Sequence, residues 1–107
     1  MNAERLELLF TFLKEDPNDP FNLYAIANEY RAHNPEKARE YFDRLLSDFP
    51  GYLPTYFLAA ELYTELEEED YALKIYQKGI KLAKEQGNSK ALRELTTAHQ
   101  NLLFEME

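Results

Sequence analysis

The chain has 107 residues, a formal net charge of −8 and no cysteine. That length is one domain's worth of chain. The missing cysteine excludes disulfides and thiolate metal sites, and the acidic balance repels nucleic acid and anionic lipid.

Apolar residues make up 45% of the chain, with seven Phe and eight Tyr, which is enough to build a core. Only three Gly and no long β-branched run speak against an all-β fold. Residues 3–14 are expected to form the first helix, with Leu6, Leu9, Phe10 and Leu13 on one stripe. Leu8 and Phe12 add apolar surface off that stripe, so much of this helix is expected to be covered. Asn2 is its N-cap, and Pro17 and Pro20 end it and set the turn.

Asp19 caps a second helix, with Pro20 at the first position, where the missing N–H costs nothing. Its buried stripe is Leu23, Ile26, Ala27 and Tyr30. Asn34-Pro35 repeats the cap-and-proline start for a third helix, 35–48, with Ala38, Tyr41, Phe42 and Leu45 inward. Pro50-Gly51 stops it. A fourth helix begins at Pro54 and carries Tyr56, Ala59, Ala60 and Tyr63.

The run Glu67-Glu68-Glu69-Asp70 marks the next turn and sets negative charge at the start of the fifth helix, where the macrodipole favours it. That helix is expected over 70–86, with Ala72, Ile75, Tyr76, Gly79, Ile80 and Ala83 inward and Gly87 as C′ residue. Asn88 or Ser89 caps a sixth helix, 89–105. Its stripe is Leu92, Leu95, His99, Leu102, Leu103 and Met106, while Glu94, Thr97, Gln100, Asn101 and Glu105 face elsewhere. No strand, linker or low-complexity segment is expected. No stretch approaches the ~20 apolar residues of a membrane span, and Met1-Asn2-Ala3-Glu4-Arg5 lacks the features of a signal peptide. The expectation is a cytoplasmic protein.

These elements repeat. Pro17 and Pro50 lie 33 residues apart, as do Leu23 and Tyr56, and Tyr30 and Tyr63. A period of this size means stacked helix pairs, each too small to bury its apolar face alone. Leu23-x₂-Ile26-Ala27-x₂-Tyr30 is followed by Ala38-x₃-Phe42 and Pro50. Tyr56-x₂-Ala59-Ala60-x₂-Tyr63 is followed by Ala72-x₃-Tyr76. The pattern resembles the tetratricopeptide repeat, in which Trp-x₂-Leu-Gly-x₂-Tyr precedes Ala-x₃-Phe and Pro over about 34 residues. Repeat one is a residue short at Ala32-His33-Asn34. Lys84 stands where a second closing Pro belongs, so the fifth helix is expected to run on.

The resemblance implies an all-α fold, an α-solenoid of antiparallel helix pairs with about six helices in a single domain over 1–107. A half repeat (1–18) precedes repeat one (19–52), repeat two (53–87) and a capping helix (88–107). Leu92-x₂-Leu95-Thr96-x₂-His99 echoes the first-helix pattern in that cap.

In this family the first helix of each pair lines a concave groove. Carried onto this sequence, the groove positions are Tyr24, Asn28 and Arg31, then Phe57, Glu61 and Thr64, then Arg93, Thr97 and Gln100, with Phe104 one turn beyond. Each set follows i, i+4, i+7 spacing and so shares one helix face. Asn28 can donate to and accept from a peptide main chain, Tyr24 and Phe57 offer flat apolar contact, and Arg93 could hold a carboxylate. The plain structural reading has Tyr24 and Phe57 packing on neighbouring helices and Arg31 pairing with a surface Glu. Members that clamp the carboxylates of chaperone tails use a Lys and Asn pair on the first helix. Here Tyr24 replaces that Lys, and Glu61 puts negative charge in the groove. The resemblance therefore implies a neutral to mildly basic, partly apolar protein or peptide partner, with no nucleic acid and no membrane.

No catalytic constellation is evident. His33 and His99 are 66 residues apart and belong to no His-Glu-x-x-His pattern. His99 is expected to be a satisfied core residue, and His33 a solvated one. There is no Gly-rich phosphate loop. Asp16-x-Asn18-Asp19 lacks the Gly and terminal Glu of a calcium loop. The expectation is a non-enzymatic adaptor without cofactor or metal. The alternatives are a structural module forming a homodimer through an open solenoid end, where Leu8 or Phe12 would stay exposed, and an accessory subunit of an enzyme complex.

Overall fold

In the computed structural model, which describes residues 2–107, six helices follow one another: α1 (Ala3–Glu15), α2 (Pro20–Arg31), α3 (Pro35–Asp48), α4 (Pro54–Glu65), α5 (Glu69–Gln86) and α6 (Ser89–Glu105). There is no strand among those residues. Short polar caps set the boundaries. Asn2 Oδ1 accepts from the Arg5 N–H at 3.0 Å, Asp19 Oδ1 from Phe21, Asn34 Oδ1 from Lys37 and Asn88 Oδ1 from Ala91. Each satisfies an amide that the first turn leaves unpaired. Of the two candidates for α6, Asn88 is the cap. The chain divides into two compact units, one ending at Thr55 and the other running Tyr56–Glu107.

In the first unit, Leu6 and Leu9 of α1 meet Ile26 of α2, with Phe10, Leu13, Tyr30 and Tyr41 packed around them. The covering of α1 stops there, which corrects the sequence expectation. Leu8 is 53% and Phe12 42% exposed. Both lie off the Leu6–Leu9 stripe, about 110° round the helix, and a helix buried along one line leaves its other faces in solvent. Ala27, Ala38, Phe42 and Leu45 are fully buried in the α2–α3 pair. Tyr41, expected inward, is half-buried. It stacks on Tyr30 with centroids 6.0 Å apart, and the Arg44 guanidinium lies 5.6 Å over its ring.

In the second unit, α4 and α5 run antiparallel. Tyr56 meets Gly79, Phe57 meets Tyr76, and Tyr63 meets Tyr71, so rising numbers on one helix pair with falling numbers on the other. A Cβ at Gly79 would stand 2.7 Å from the Tyr56 Cβ, a distance that real Cβ atoms do not reach. Only glycine permits this approach. On α6, Leu95 and Leu102 are buried, whereas Leu103 is 45% and Met106 38% exposed, so the expected stripe narrows to its i, i+7 line. His99 lies 6.4 Å from the Tyr76 ring. Contrary to expectation, its buried Nε2 has no hydrogen-bond partner.

The one-residue difference between the repeats lies in the turns. The Asn34 N–H donates to the Tyr30 carbonyl at 2.7 Å, and the Glu68 N–H donates to the repeat-equivalent Tyr63 carbonyl at 2.9 Å. The first bond spans four residues and the second five. The extra residue is absorbed by Glu67, which takes the left-handed conformation at φ 62°. With Glu67 N–H donating to the Thr64 carbonyl at 3.1 Å, α4 ends in a Schellman motif. Gly87, at φ 67°, ends α5 in the same way. As expected from Lys84, α5 runs through to Gln86, while α3 stops at Asp48.

Candidate functional site

Each candidate residue takes its place from a helix face. In the first unit, Tyr24, Asn28 and Arg31 stand on α2. Tyr24 is half-buried and makes an edge contact with Tyr52 at 5.8 Å. Burial raises its phenol above the usual 10.0, and the Arg31 charge pulls the other way, so these two groups lie within each other's field. Asn28 is exposed. Tyr24 is thus engaged in packing, against a residue of the α3–α4 turn and not of a neighbouring helix.

In the second unit, the facing sides of α4 and α6 enclose two adjoining depressions. The larger, about 520 Å³, is lined by Phe57 and Glu61 of α4 and by Arg93, Thr97, Ala98 and Asn101 of α6. Glu94 lines it too. The smaller, about 260 Å³, is lined by Glu61, Thr64 and Glu65 of α4 and by Ala98, Asn101 and Glu105 of α6, over Tyr76 and Leu102. Glu61, Ala98 and Asn101 belong to both, so the two form one trough. Residue numbers rise together on its two walls, so α4 and α6 run parallel along it.

The floor is apolar and the rim polar. Phe57 is half-buried, with its ring edge-on to Tyr76 at 6.4 Å. Thr64 donates its hydroxyl to the Ala60 carbonyl at 2.8 Å, which leaves it an acceptor toward the trough. Of the expected groove residues in this unit, Phe57, Glu61, Thr64, Arg93 and Thr97 come together here. Gln100 lies outside both depressions, and Phe104 is 75% exposed beyond them.

Glu65, Glu94, Ala98, Asn101 and Glu105 also line the trough, and the resemblance did not point to them. On α6 the trough takes Arg93 and Thr97 from the expected face, and Glu94, Ala98, Asn101 and Glu105 from a face about 100° round the helix. The signal was present in the sequence. Glu94, Ala98, Asn101 and Glu105 recur at i, i+4, i+7 and i+11. No group of His, Asp or Glu among the described residues is placed to hold a metal ion.

Comparison with known proteins fixes the family. A solution structure of a tetratricopeptide repeat domain protein from Salinibacter ruber is 38% identical over 81% of this chain and 89% of that one, with a TM-score of 0.76. A crystal structure of a tetratricopeptide repeat domain protein from the same organism is 37% identical over 79% of this chain and 96% of that one, with a TM-score of 0.75. The chain belongs to the tetratricopeptide repeat family. No protein-family model matches it, and no curated protein does.

The tetratricopeptide register accounts for the small buried residues. Ala27, Ala60, Ala38 and Ala72 occupy the close-contact positions of its two helix pairs, and all four are fully buried. The fold is that of an all-α helical repeat. Among the described residues no helix is long and apolar enough to cross a membrane.

Proposed function

We propose that this tetratricopeptide domain is a non-catalytic cytoplasmic adaptor that takes a segment of a partner protein into the trough between α4 and α6. The observation that carries the reading is the convergence of Phe57, Glu61, Arg93 and Thr97 on one open depression of about 520 Å³. An apolar floor with a few polar groups around it is the common form of a recognition site. The partner segment is neutral to mildly basic and partly apolar. It lays an apolar side chain against Phe57 and hydrogen-bonds to Asn101 and Thr97.

Ala98 supplies the test, because it lines both depressions. Ala98→Trp should fill the trough from the solvent side and abolish partner capture by a tagged chain, with far-UV circular dichroism and melting unchanged. Capture of the same protein at the same strength by a folded Ala98→Trp variant would remove the site assignment.

A second reading is favoured by one observation. Leu8 and Phe12 present an exposed apolar stripe on α1, which a homodimer through this helix would cover. Light scattering across a concentration series decides it: a strict monomer throughout discards the dimer.

A further inference from the structure

Of the six helices, α5 is the only one whose basic residues outnumber its acidic ones, in a chain with a net charge of −8. Residues 71–84 hold four lysines and no Asp or Glu. Lys74, Lys78 and Lys81 follow i, i+4, i+7 spacing and so share one face. That face lies opposite the buried line of Ala72, Gly79 and Ala83, with Lys84 one turn on at its flank. All four lysines are exposed, and none has a carboxylate partner among the described residues. An acidic protein that leaves four neighbouring lysines without an ion pair concentrates positive potential along one line. At the start of that line Tyr71 is 42% exposed, with its ring edge-on to Tyr63 at 4.6 Å. An aromatic ring beside a row of charges offers a partner both an apolar anchor and a set of ion pairs.

We propose that this face of α5 seats a short acidic segment of a partner protein, with Asp or Glu side chains along Lys74, Lys78 and Lys81 and an apolar side chain against Tyr71. The ends of the face set the length. Glu67 and Asp70 stand exposed before it, and Glu85 after it. From Lys74 to Lys84 the helix rises about 15 Å, at roughly 1.5 Å per residue. An extended chain covers that distance in about five residues. A nucleic acid or an anionic membrane continues past both ends and meets those carboxylates, on a chain already charged −8. A short acidic peptide stops before them. The face is separate from the trough, because Tyr76, which lines the trough, is buried on the other side of α5. The proposal therefore stands whether or not the trough is a docking site.

The test uses the whole chain and two blocked peptides of about five residues, followed by backbone amide NMR titration. Each peptide carries one phenylalanine, and its other residues are glutamate in the first and glutamine in the second. The glutamate peptide should bind roughly tenfold more tightly, the sum of three or four exposed ion pairs. Raised salt should erase the difference. Amides of Tyr71, Lys74, Lys78 and Lys81 should shift, and those of Ala98 and Asn101 in the trough should not. Lys74→Gln/Lys78→Gln/Lys81→Gln should abolish the preference, with far-UV circular dichroism and melting unchanged. Lys14→Gln/Lys37→Gln/Lys90→Gln makes the same change in net charge and should keep it. Equal binding of the two peptides overturns the proposal, as does a preference that survives the α5 variant or is lost equally in both variants. Shifts centred on Ala98 and Asn101 overturn it too. Oligothymidylate and phosphatidylserine vesicles are titrated alongside. If either binds this face as tightly as the glutamate peptide, the face is a general polyanion surface and the assignment to a protein segment fails.

Discussion

The turn between α2 and α3 and the turn between α4 and α5 do one job with different chemistry. Each brings a second helix back along the first, and in each an N-cap amide returns to a tyrosine carbonyl, Tyr30 or Tyr63. The first turn does so in four residues, and Asn34 also caps α3 with its side chain. The second needs five residues, puts Glu67 into left-handed backbone, and has no side-chain cap from Glu68. The fixed quantity is the meeting of small residues across each helix pair. The turn adapts to it, because a shift of one residue on a helix rotates its buried face by about 100°.

That comparison can be broken most severely at the shared contact. Ala27→Leu and Ala60→Leu occupy equivalent, fully buried positions. Each should cost roughly 1–3 kcal/mol through overpacking, measured by urea unfolding. Near-equal losses support one packing rule for both repeats, and an unaffected variant would show that its repeat is packed in another register.

A smaller effect is expected at the caps. Asn34→Ala removes a side-chain bond to the Lys37 N–H of 3.2 Å and should cost about 1 kcal/mol. Glu68→Asn offers the second repeat the cap that it lacks, and should gain less than that. If Asn34→Ala proves silent, the side chain contributes nothing to the turn.

The smallest effect has the opposite sign. A left-handed residue with a Cβ costs about 1–2 kcal/mol, and glycine loses about 0.5–1 kcal/mol through chain entropy. Glu67→Gly should therefore stabilise the chain by roughly 0.5–1 kcal/mol. A loss of stability would mean that the exposed Glu67 side chain contributes more than its backbone strain costs.

The helices were legible because their ends carry explicit chemistry. Asn34-Pro35 marked α3 at 35–48, and Asn88 with Gly87 marked the start of α6 at 89, both as found. At α5 the acidic run blurred the start, expected at 70 and found at Glu69. The buried alanines were legible because a close contact admits few residue types. Exposure at the margins was harder to see. Leu8, Phe12, Leu103 and Met106 are as apolar as their buried neighbours, and only the position of the neighbouring helix separates them. The trough on α6 was half legible for the same reason. The family pattern gives one face, Arg93 to Gln100, and the turn of the helix that adds Asn101 and Glu105 to the wall depends on how α6 lies beside α4.

The close approach at Gly79 bears on how such a domain could be rebuilt by averaging its repeats. The residue 34 places before Gly79 is Leu45, which is fully buried, and Leu23 stands where the second repeat has Tyr56. The first repeat therefore uses two leucines where the second uses a tyrosine and a glycine. A consensus of the two would set a branched side chain at position 79, against a Cβ only 2.7 Å from where its own would lie. Trading Tyr56 for leucine would not relieve it, because the obstructing atom is common to both residues. Repeat two holds its helices at a spacing that sequence from repeat one cannot enter, so designed arrays drawn from this chain should copy each repeat whole.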